Sequence, residues 1–498
     1  MNTSEKIIDA VNKAVDGNHS REDAIRAITE DDLVDVLFDS ATGDSIEPLC
    51  QGIAASPGAA SGKLCLSVDA VLEVVDAGEQ AIMVAMETGP ADEPGMRWAA
   101  GIVTAYGGLA SHAAIYSRGL GLPAVCGVET LKVEEGQIKV GETVIPEGEV
   151  ISIDGASGEV FAGEIEISGA AAPDELTTLL EWADELRSNK VQVWANADTG
   201  EEAAEARSAG AAGIGLCRTE HMFLGDRLPV IRQLLKAVGP DERKTALQEL
   251  QKAQQTDFEH VLAPMDGLPV TVRLLDAPLH EFLEETEEQN PMLGLRGIRL
   301  AIVTEDLYRT QTRALLAAVQ ERISQGGDPK VEIMVPLVSL EEELVLAVEW
   351  IKEELKDSPI HVPVGTMIET PRAALIAGAL AEHIDFVSFG TNDLTQMTFG
   401  FSRDDVEVSV INEYIEKGLL EKSPFETLDI GGVGELIRTA INRSREANPN
   451  IKIGICGEHG GDPASIRFLV GAGVNYVSCS PPRIPVARLI SSQTLIDS

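Results

Sequence analysis

The chain has 498 residues, of which 44% are hydrophobic and 24% charged. That is enough for two or three domains with packed cores, and the balance excludes a disordered polymer. Its net charge is −42, from 81 acidic against 39 basic residues, so nucleic acid and anionic lipid are excluded as partners by repulsion.

An anionic substrate would need its own arginine cluster or metal ion. The acidic excess points to a salt-rich host whose counterions screen the self-repulsion, an ordinary acidic protein being the alternative. No run approaches the ~18 apolar residues of a membrane span. The start, Met1-Asn-Thr-Ser-Glu-Lys6, has no signal-peptide pattern, so a cytoplasmic location is expected. Six cysteines lie far apart, at positions 50, 65, 126, 217, 456 and 479. Without Cys-x-x-Cys spacing they read as free thiols in a reducing compartment, not as zinc ligands or a disulfide framework.

Residues 1–50 read as a short helical N-terminal segment, with a capping box at Ser20-Arg-Glu-Asp23 and a further helix from Asp31. Residues 51–165 read as a compact domain with strands at Leu64-Cys-Leu-Ser, Ala81-Ile-Met-Val-Ala, Gly101-Ile-Val-Thr-Ala and Glu149-Val-Ile-Ser-Ile-Asp. Within it, Gly107-Gly-Leu-Ala-Ser-His112 follows a strand and opens a helix. Unpaired N–H groups and the positive dipole end favour an anion at such a start. A neutral imidazole there could accept a phosphoryl group, although a lone histidine near a helix start is commonly a satisfied polar residue.

Residues 166–190 read as a linker that becomes a helix at Asp174, a joint that permits swivelling. From 191 to 498 short apolar runs alternate with longer helical stretches. Eight strand candidates begin near Val191, Gly213, Val270, Val331, Val362, Asp385, Ile451 and Asn475. Eight β-then-α units predict a (β/α)8 TIM barrel, with an open doubly wound sheet as the alternative.

Polar residues collect at the C-terminal ends of these runs: Arg218, Arg273, Asp276, Glu369, Asn392, Asp393, Cys456 and Cys479. In a barrel they share the rim where active sites lie. Glu369 and Asp393 suit a hard divalent ion such as Mg2+ or Mn2+. Arg218, Arg273 and Arg296 offer guanidinium forks for phosphate or carboxylate, though each alone is more often a salt-bridge residue. Cys479 could deliver a proton to an enolate carbon; out of context it reads as a buried structural thiol.

The segment Gly107 to Ala114 resembles the phosphohistidine signature of the phosphoenolpyruvate-utilising enzymes, usually Gly-Gly-x-Thr-Ser-His-Ala-Ala. The likeness begins at Glu87-Thr-Gly-Pro-Ala-Asp-Glu93 and runs on through Gly121-Leu-Pro-Ala-Val-Cys-Gly127. Ala110 replaces the usual Thr, which removes a hydroxyl that serves regulatory phosphorylation in dikinases. Further resemblances to the pyruvate, phosphate dikinase barrel are Gly213-Ile-Gly-Leu-Cys-Arg-Thr-Glu-His-Met-Phe, Arg273-Leu-Leu-Asp-Ala-Pro, Asn290-Pro-Met-Leu-Gly-Leu-Arg-Gly, Gly365-Thr-Met-Ile-Glu-Thr-Pro-Arg, Ser388-Phe-Gly-Thr-Asn-Asp, Gly454-Ile-Cys-Gly-Glu-His and Tyr476-Val-Ser-Cys-Ser-Pro-Pro-Arg.

The resemblance implies an α/β chain: a swivelling β/β/α phosphohistidine domain followed by a TIM barrel that binds phosphoenolpyruvate and pyruvate. It implies that His112 carries the phosphoryl group and Cys479 is the acid/base. Arg218, Arg273, Asp276, Arg296, Gly390, Thr391 and Asn392 bind substrate, and Glu369 and Asp393 hold Mg2+. Cys456 is the second thiol candidate, because enzyme I of the sugar phosphotransferase system places its thiol in the Cys-Gly-Glu motif. Leu295 and Pro482 depart from the usual His and aromatic residue. A dikinase's ATP-grasp domain has no counterpart here and no glycine-rich phosphate loop replaces it, so a separate ATP-grasp nucleotide-binding subunit is expected, with a homodimer through the barrel. The alternatives are an enzyme I-like phosphotransferase and a non-catalytic phosphoenolpyruvate-binding regulator.

Overall fold

The structure is a computed structural model that describes residues 2–497 apart from 43–46, 110, 224–226, 238, 284–287, 289 and 305. Ala110 therefore lies outside the described residues. The chain forms two compact units.

One unit holds residues 1–186 together with 401–427 and 488–497. It begins with helices Thr3–Val15, Arg21–Ala27 and Glu30–Leu37. The expected capping box is present. Ser20 Oγ accepts from the Asp23 N–H at 3.0 Å, and Asp23 Oδ2 accepts from the Ser20 N–H at 3.1 Å. Within the segment read as helical, Ser40–Ala41 instead pairs antiparallel with Ile167–Ser168, so the linker is tied down before its helix begins. That helix spans Asp174–Arg187.

The sheet domain of this unit is an eight-stranded mixed sheet. Its parallel centre runs Ala59–Cys65, Ala81–Ala85, Gly101–Thr104, Ala124–Cys126, with Leu64 opposite Ile82, Met83 opposite Ile102 and Val103 opposite Val125. Successive residues point to opposite faces. Leu64, Ile82, Val103 and Val125 pack with Ile151 and Ile153 on one side. Cys65, Met83, Ile102 and Ala124 pack with Val71, Met96, Ala113 and Ala114 on the other. Burial on both faces explains why these strands read as continuous apolar runs. A separate three-stranded antiparallel sheet covers Leu131–Glu134, Gln137–Val140 and Thr143–Pro146.

The second unit, residues 187–400 and 428–487, is a closed parallel barrel. Its strands are Gln192–Asn196, Ile214–Arg218, Pro269–Arg273, Lys330–Val335, Val364–Ile368, Phe386–Phe389, Lys452–Ile455 and Tyr476–Cys479. The last pairs with the first, Ala195 opposite Cys479, which excludes the open-sheet alternative. The barrel unit departs from the 191–498 boundary at two places, 401–427 and 488–497, which belong to the first unit. For the second the reason is visible. Gln493 donates to the Ile25 and Ile28 carbonyls, and Arg488 pairs with Asp184 at 2.6 Å, so the end of helix Ile484–Asp497 belongs to the N-terminal helices.

At the barrel's N-terminal end Lys452 pairs with Glu332 and lies over the rings of Trp194 and Phe386 at 4.7 and 5.0 Å. Trp194 stacks on Tyr476 at 4.2 Å. An apolar plug with one satisfied cation closes that end and leaves the chemistry to the other. All six cysteines are free, and among the described residues no helix is long and apolar enough to cross a membrane.

Candidate active site

His112 is the first residue of helix His112–Leu120, capped by Ser111. The turn before it needs Gly107, whose φ is +108° and where a Cβ would meet Ser111 Cβ at 2.8 Å. Small, buried Ala113 and Ala114 seat the helix on the sheet, so the ring projects at its N-terminal edge, 24% exposed. Nδ1 lies 3.0 Å from Thr88 Oγ1, and Nε2 lies 3.3 Å from Glu93 Oε1. Both partners come from the Glu87–Glu93 segment, so that motif orients the imidazole. Tyr116, one turn on, stacks on the ring at 5.8 Å between centroids.

On the barrel, strand register brings Arg218 opposite Arg273, and Ile368 opposite Phe389. The residues that follow these strand ends therefore meet at one mouth. Arg273 pairs with Glu220, with Asp276 at 3.2 Å and with Glu369 at 3.9 Å. Arg296 forks onto Asp276, Nε to Oδ1 at 3.0 Å and Nη2 to Oδ2 at 2.8 Å, and reaches Asp393 at 3.2 Å. Burial opposes charge on both guanidiniums, but Glu220 and Asp276 beside Arg273, and Asp276 and Asp393 beside Arg296, outweigh it and raise both above the usual arginine value.

Asp276, Glu369 and Asp393 lie together, with ligand oxygens within 4.8 Å of one another. Asp276, expected among the substrate residues, thus groups with the two acids expected to hold metal. Glu369 is 1% exposed, and its Oε1 accepts the Leu337 N–H at 2.6 Å. Leu337 adopts φ +58°, a left-handed conformation costly for leucine that aims this N–H at the carboxylate. Glu369 Oε2 has no hydrogen-bond partner, nor do Arg273 Nε and Glu220 Oε2. Burial, then Asp276 and Asp393, push the Glu369 carboxyl up to about 8. An orphaned buried oxygen inside a crowded acid trio, all with hard oxygen donors, is the chemistry a Mg2+ ion fits.

Gly390 lines the same mouth: a Cβ there would meet Glu369 Oε2 at 2.7 Å and Met367 Sδ at 2.6 Å. Thr391 opens helix Thr391–Phe399 with its hydroxyl 2.8 Å from His459 Nδ1, so its side chain is occupied. Asn392 Oδ1 accepts the Glu458 N–H at 3.1 Å. Both thiols are buried at strand ends, and burial raises both, Cys456 to about 11. Cys456 is embedded with Leu216, Met334, Met367 and Phe386 in the barrel core. Cys479 ends the last strand, and burial, tempered by Arg483, pushes its thiol up to about 12, so it keeps its proton at neutral pH.

Residues 173–495 match the family described as PEP-utilising enzyme, PEP-binding domain, and residues 77–158 match the PEP-utilising enzyme mobile domain. The chain belongs to the PEP-utilising enzymes. It is 43% identical over 526 residues to pyruvate, phosphate dikinase 1 of Arabidopsis thaliana, covering 98% of this chain and 54% of that protein. To the dikinase of Mesembryanthemum crystallinum it is 44% identical, over 93% of this chain and 53% of the relative. To dikinase 2 of Zea mays it is 42% identical, over 98% and 59%. The chain thus spans about half the length of the curated relatives it matches.

Sequence reasoning about this PEP-utilising chain passed over Asp198, Glu220 and His221. Asp198 lies two residues beyond the first barrel strand, which, like the fourth, has no residue among the rim candidates. It accepts from Arg218 at 2.7 Å and from His221 Nδ1 at 2.9 Å, holding both cations on one carboxylate. Burial would raise Asp198, but Arg218 and His221 hold it well below the usual carboxylate range. Burial and Arg218 pull His221 down; Asp198 overrides them and leaves it above its ordinary value, although the side chain is 43% exposed. A raised histidine contributes stability that is fully present below its unfolded pKa of about 6.5 and lost as pH rises through the higher folded value. His221→Gln should therefore lower the urea midpoint most near pH 5.5, and the gap to wild type should close toward pH 9. A gap of equal size at both ends would dismiss the ion pair.

Proposed function

We propose that the chain transfers the phosphoryl group of phosphoenolpyruvate to His112 and releases pyruvate, reversibly. The observation that supports it most is the barrel mouth, where buried arginines and a carboxylate trio, with a Glu369 oxygen that has no hydrogen-bond partner, converge. Arg218 and Arg273 bind the phosphate and carboxylate of the substrate as charge-assisted forks. Thr88 fixes Nδ1 of His112, so Nε2 is the attacking nitrogen once Glu93 moves aside. The bond from phosphorus to the enol oxygen breaks as the bond to Nε2 forms, and the electron pair stays on oxygen as enolate. The Cys479 thiol then gives its proton to the methylene carbon, yielding pyruvate and thiolate, which solvent reprotonates.

Asp276, Glu369 and Asp393 would hold Mg2+, which when bound draws charge from the phosphoryl and enolate oxygens. Asn392 and the backbone at Gly390 and Thr391 line the remaining wall. His112 and the rim belong to separate units, so the reading requires the mobile domain to carry the imidazole between two partners. The second partner we assign to an ATP-grasp nucleotide-binding subunit, a reading supported by the likeness of this chain to about half of the pyruvate, phosphate dikinases it matches.

Incubation with phosphoenolpyruvate labelled in its phosphate, plus Mg2+, should place acid-labile label on His112, and a chelator should suppress it. Absence of label rejects the half-reaction. With ATP, phosphate and pyruvate the chain alone should show no turnover; robust turnover would refute the trans subunit.

A further inference from the structure

Outside the barrel, helices Pro240–Leu262 and Asp306–Ser324 enclose a cleft of about 360 Å³. The first helix presents Arg243, Lys244, Leu247, Gln248 and Gln251, spaced as one helical face; the second presents Thr310 and Arg313 one turn apart. Three of the nine lining residues are Arg or Lys, in a chain with 39 such residues among 498. The lining contains one carboxylate, Asp306. In a protein of net charge −42, cations gathered at one cleft oppose the overall field and mark where an anion can approach.

Arg243 Nε is buried and has no hydrogen-bond partner. That unmade donor is a cost the fold carries, and what Arg243 brings to the cleft wall is its charge. Arg313 is held by Glu354 through Nε at 3.0 Å, which orients its guanidinium on the cleft's far wall. The amides of Gln248 and Gln251 add neutral donors, and Leu247 adds an apolar floor. The volume is that of a small-molecule site, which typically runs from ~300 to 1,000 Å³.

We propose that this cleft binds a small molecule carrying two or more phosphate charges, at a site separate from the barrel mouth. Its position suits regulation. On the inner face of the second helix, Gln311 accepts the Leu275 N–H at 3.0 Å and donates to Thr219 Oγ1 at 3.1 Å. Tyr308 donates to the Leu275 carbonyl at 3.2 Å. Thr219 and Leu275 adjoin Arg218, Glu220 and Asp276, so the helix that lines the cleft also props the loops of the rim. A ligand that orders Thr310 and Arg313 acts on the same helix one turn from Tyr308 and Gln311.

The test is calorimetric titration with inorganic pyrophosphate at low ionic strength on wild type, Arg243→Gln/Lys244→Gln, Arg313→Gln and Arg218→Gln. Thermal melting confirms that each is folded. The double cleft variant should bind ~100-fold more weakly, about tenfold for each lost charge-assisted contact, and Arg313→Gln about tenfold more weakly. Arg218→Gln should keep the cleft affinity. The proposal is overturned if wild type does not bind, if the cleft variants bind as wild type does, or if affinity is lost in Arg218→Gln alone.

Discussion

Replacing His112 with Asn should cut phosphoryl labelling from phosphoenolpyruvate by at least ~10⁴-fold, to background. Asparagine keeps a polar group near Thr88 but has no nitrogen lone pair able to form the N–P bond, and loss of a nucleophile is not offset by binding groups elsewhere. The ring is 24% exposed and meets Thr88 and Glu93 at the surface of its domain, so the fold should be retained. Binding of phosphoenolpyruvate to the barrel, followed by calorimetry, should be unchanged, because the imidazole and the rim belong to separate units. Labelling that persists in His112→Asn, or migrates to another histidine, would remove this residue from the reaction.

The largest expected effect on stability is at Arg273. Changing it to Met keeps the aliphatic stem but strips the cation from Glu220, Asp276 and Glu369, which are 5%, 3% and 1% exposed. Deleting one member of a buried ionic network leaves uncompensated charge and typically costs about 3–5 kcal/mol. For a unit the size of this barrel that corresponds to a fall in Tm of roughly 6 °C or more. Arg273→Lys, which keeps charge but loses the fork, should fall between wild type and Met. The affinity for phosphoenolpyruvate should drop in both. An unchanged Tm in Arg273→Met would show that the three acids are neutralised by other groups.

Much of the frame was legible because it rests on local periodicity. Largely apolar runs of five to seven residues marked all eight barrel strands within a few positions of where they lie. The capping box at Ser20 and Asp23, and the glycine turn before His112, are encoded in neighbouring residues and need no long-range contact to form. The Asp198 contact with Arg218 and His221 was missed for a plain reason. Its residue number is distant from both, and a single Asp after a strand is indistinguishable from a helix cap until the barrel closes.

The partners of Arg296 show the same limit. Asp276 and Asp393 are 20 and 97 positions away, so a fork that reads as substrate-binding in one dimension is an acid clamp in three. Likewise, the two cysteines at strand ends differ in motif, but not in any way that shows what surrounds them. Packing supplies the neighbours: Cys456 lies among core apolar side chains with the Ser388 hydroxyl at 3.3 Å, and Cys479 lies beside Arg483 and Glu458.

The amino-acid order alone, through hydrophobic period and turn chemistry, determined that this chain builds an α/β sheet domain and a barrel with its polar residues at the strands' C-terminal ends. Tertiary structure alone decided which of those residues share a charge, which oxygen is left without a partner, and that Leu337 holds a left-handed backbone to serve Glu369. Period and turns are set within a few residues of chain, whereas electrostatic pairing depends on distances that exist only after strands far apart in sequence have closed into a ring.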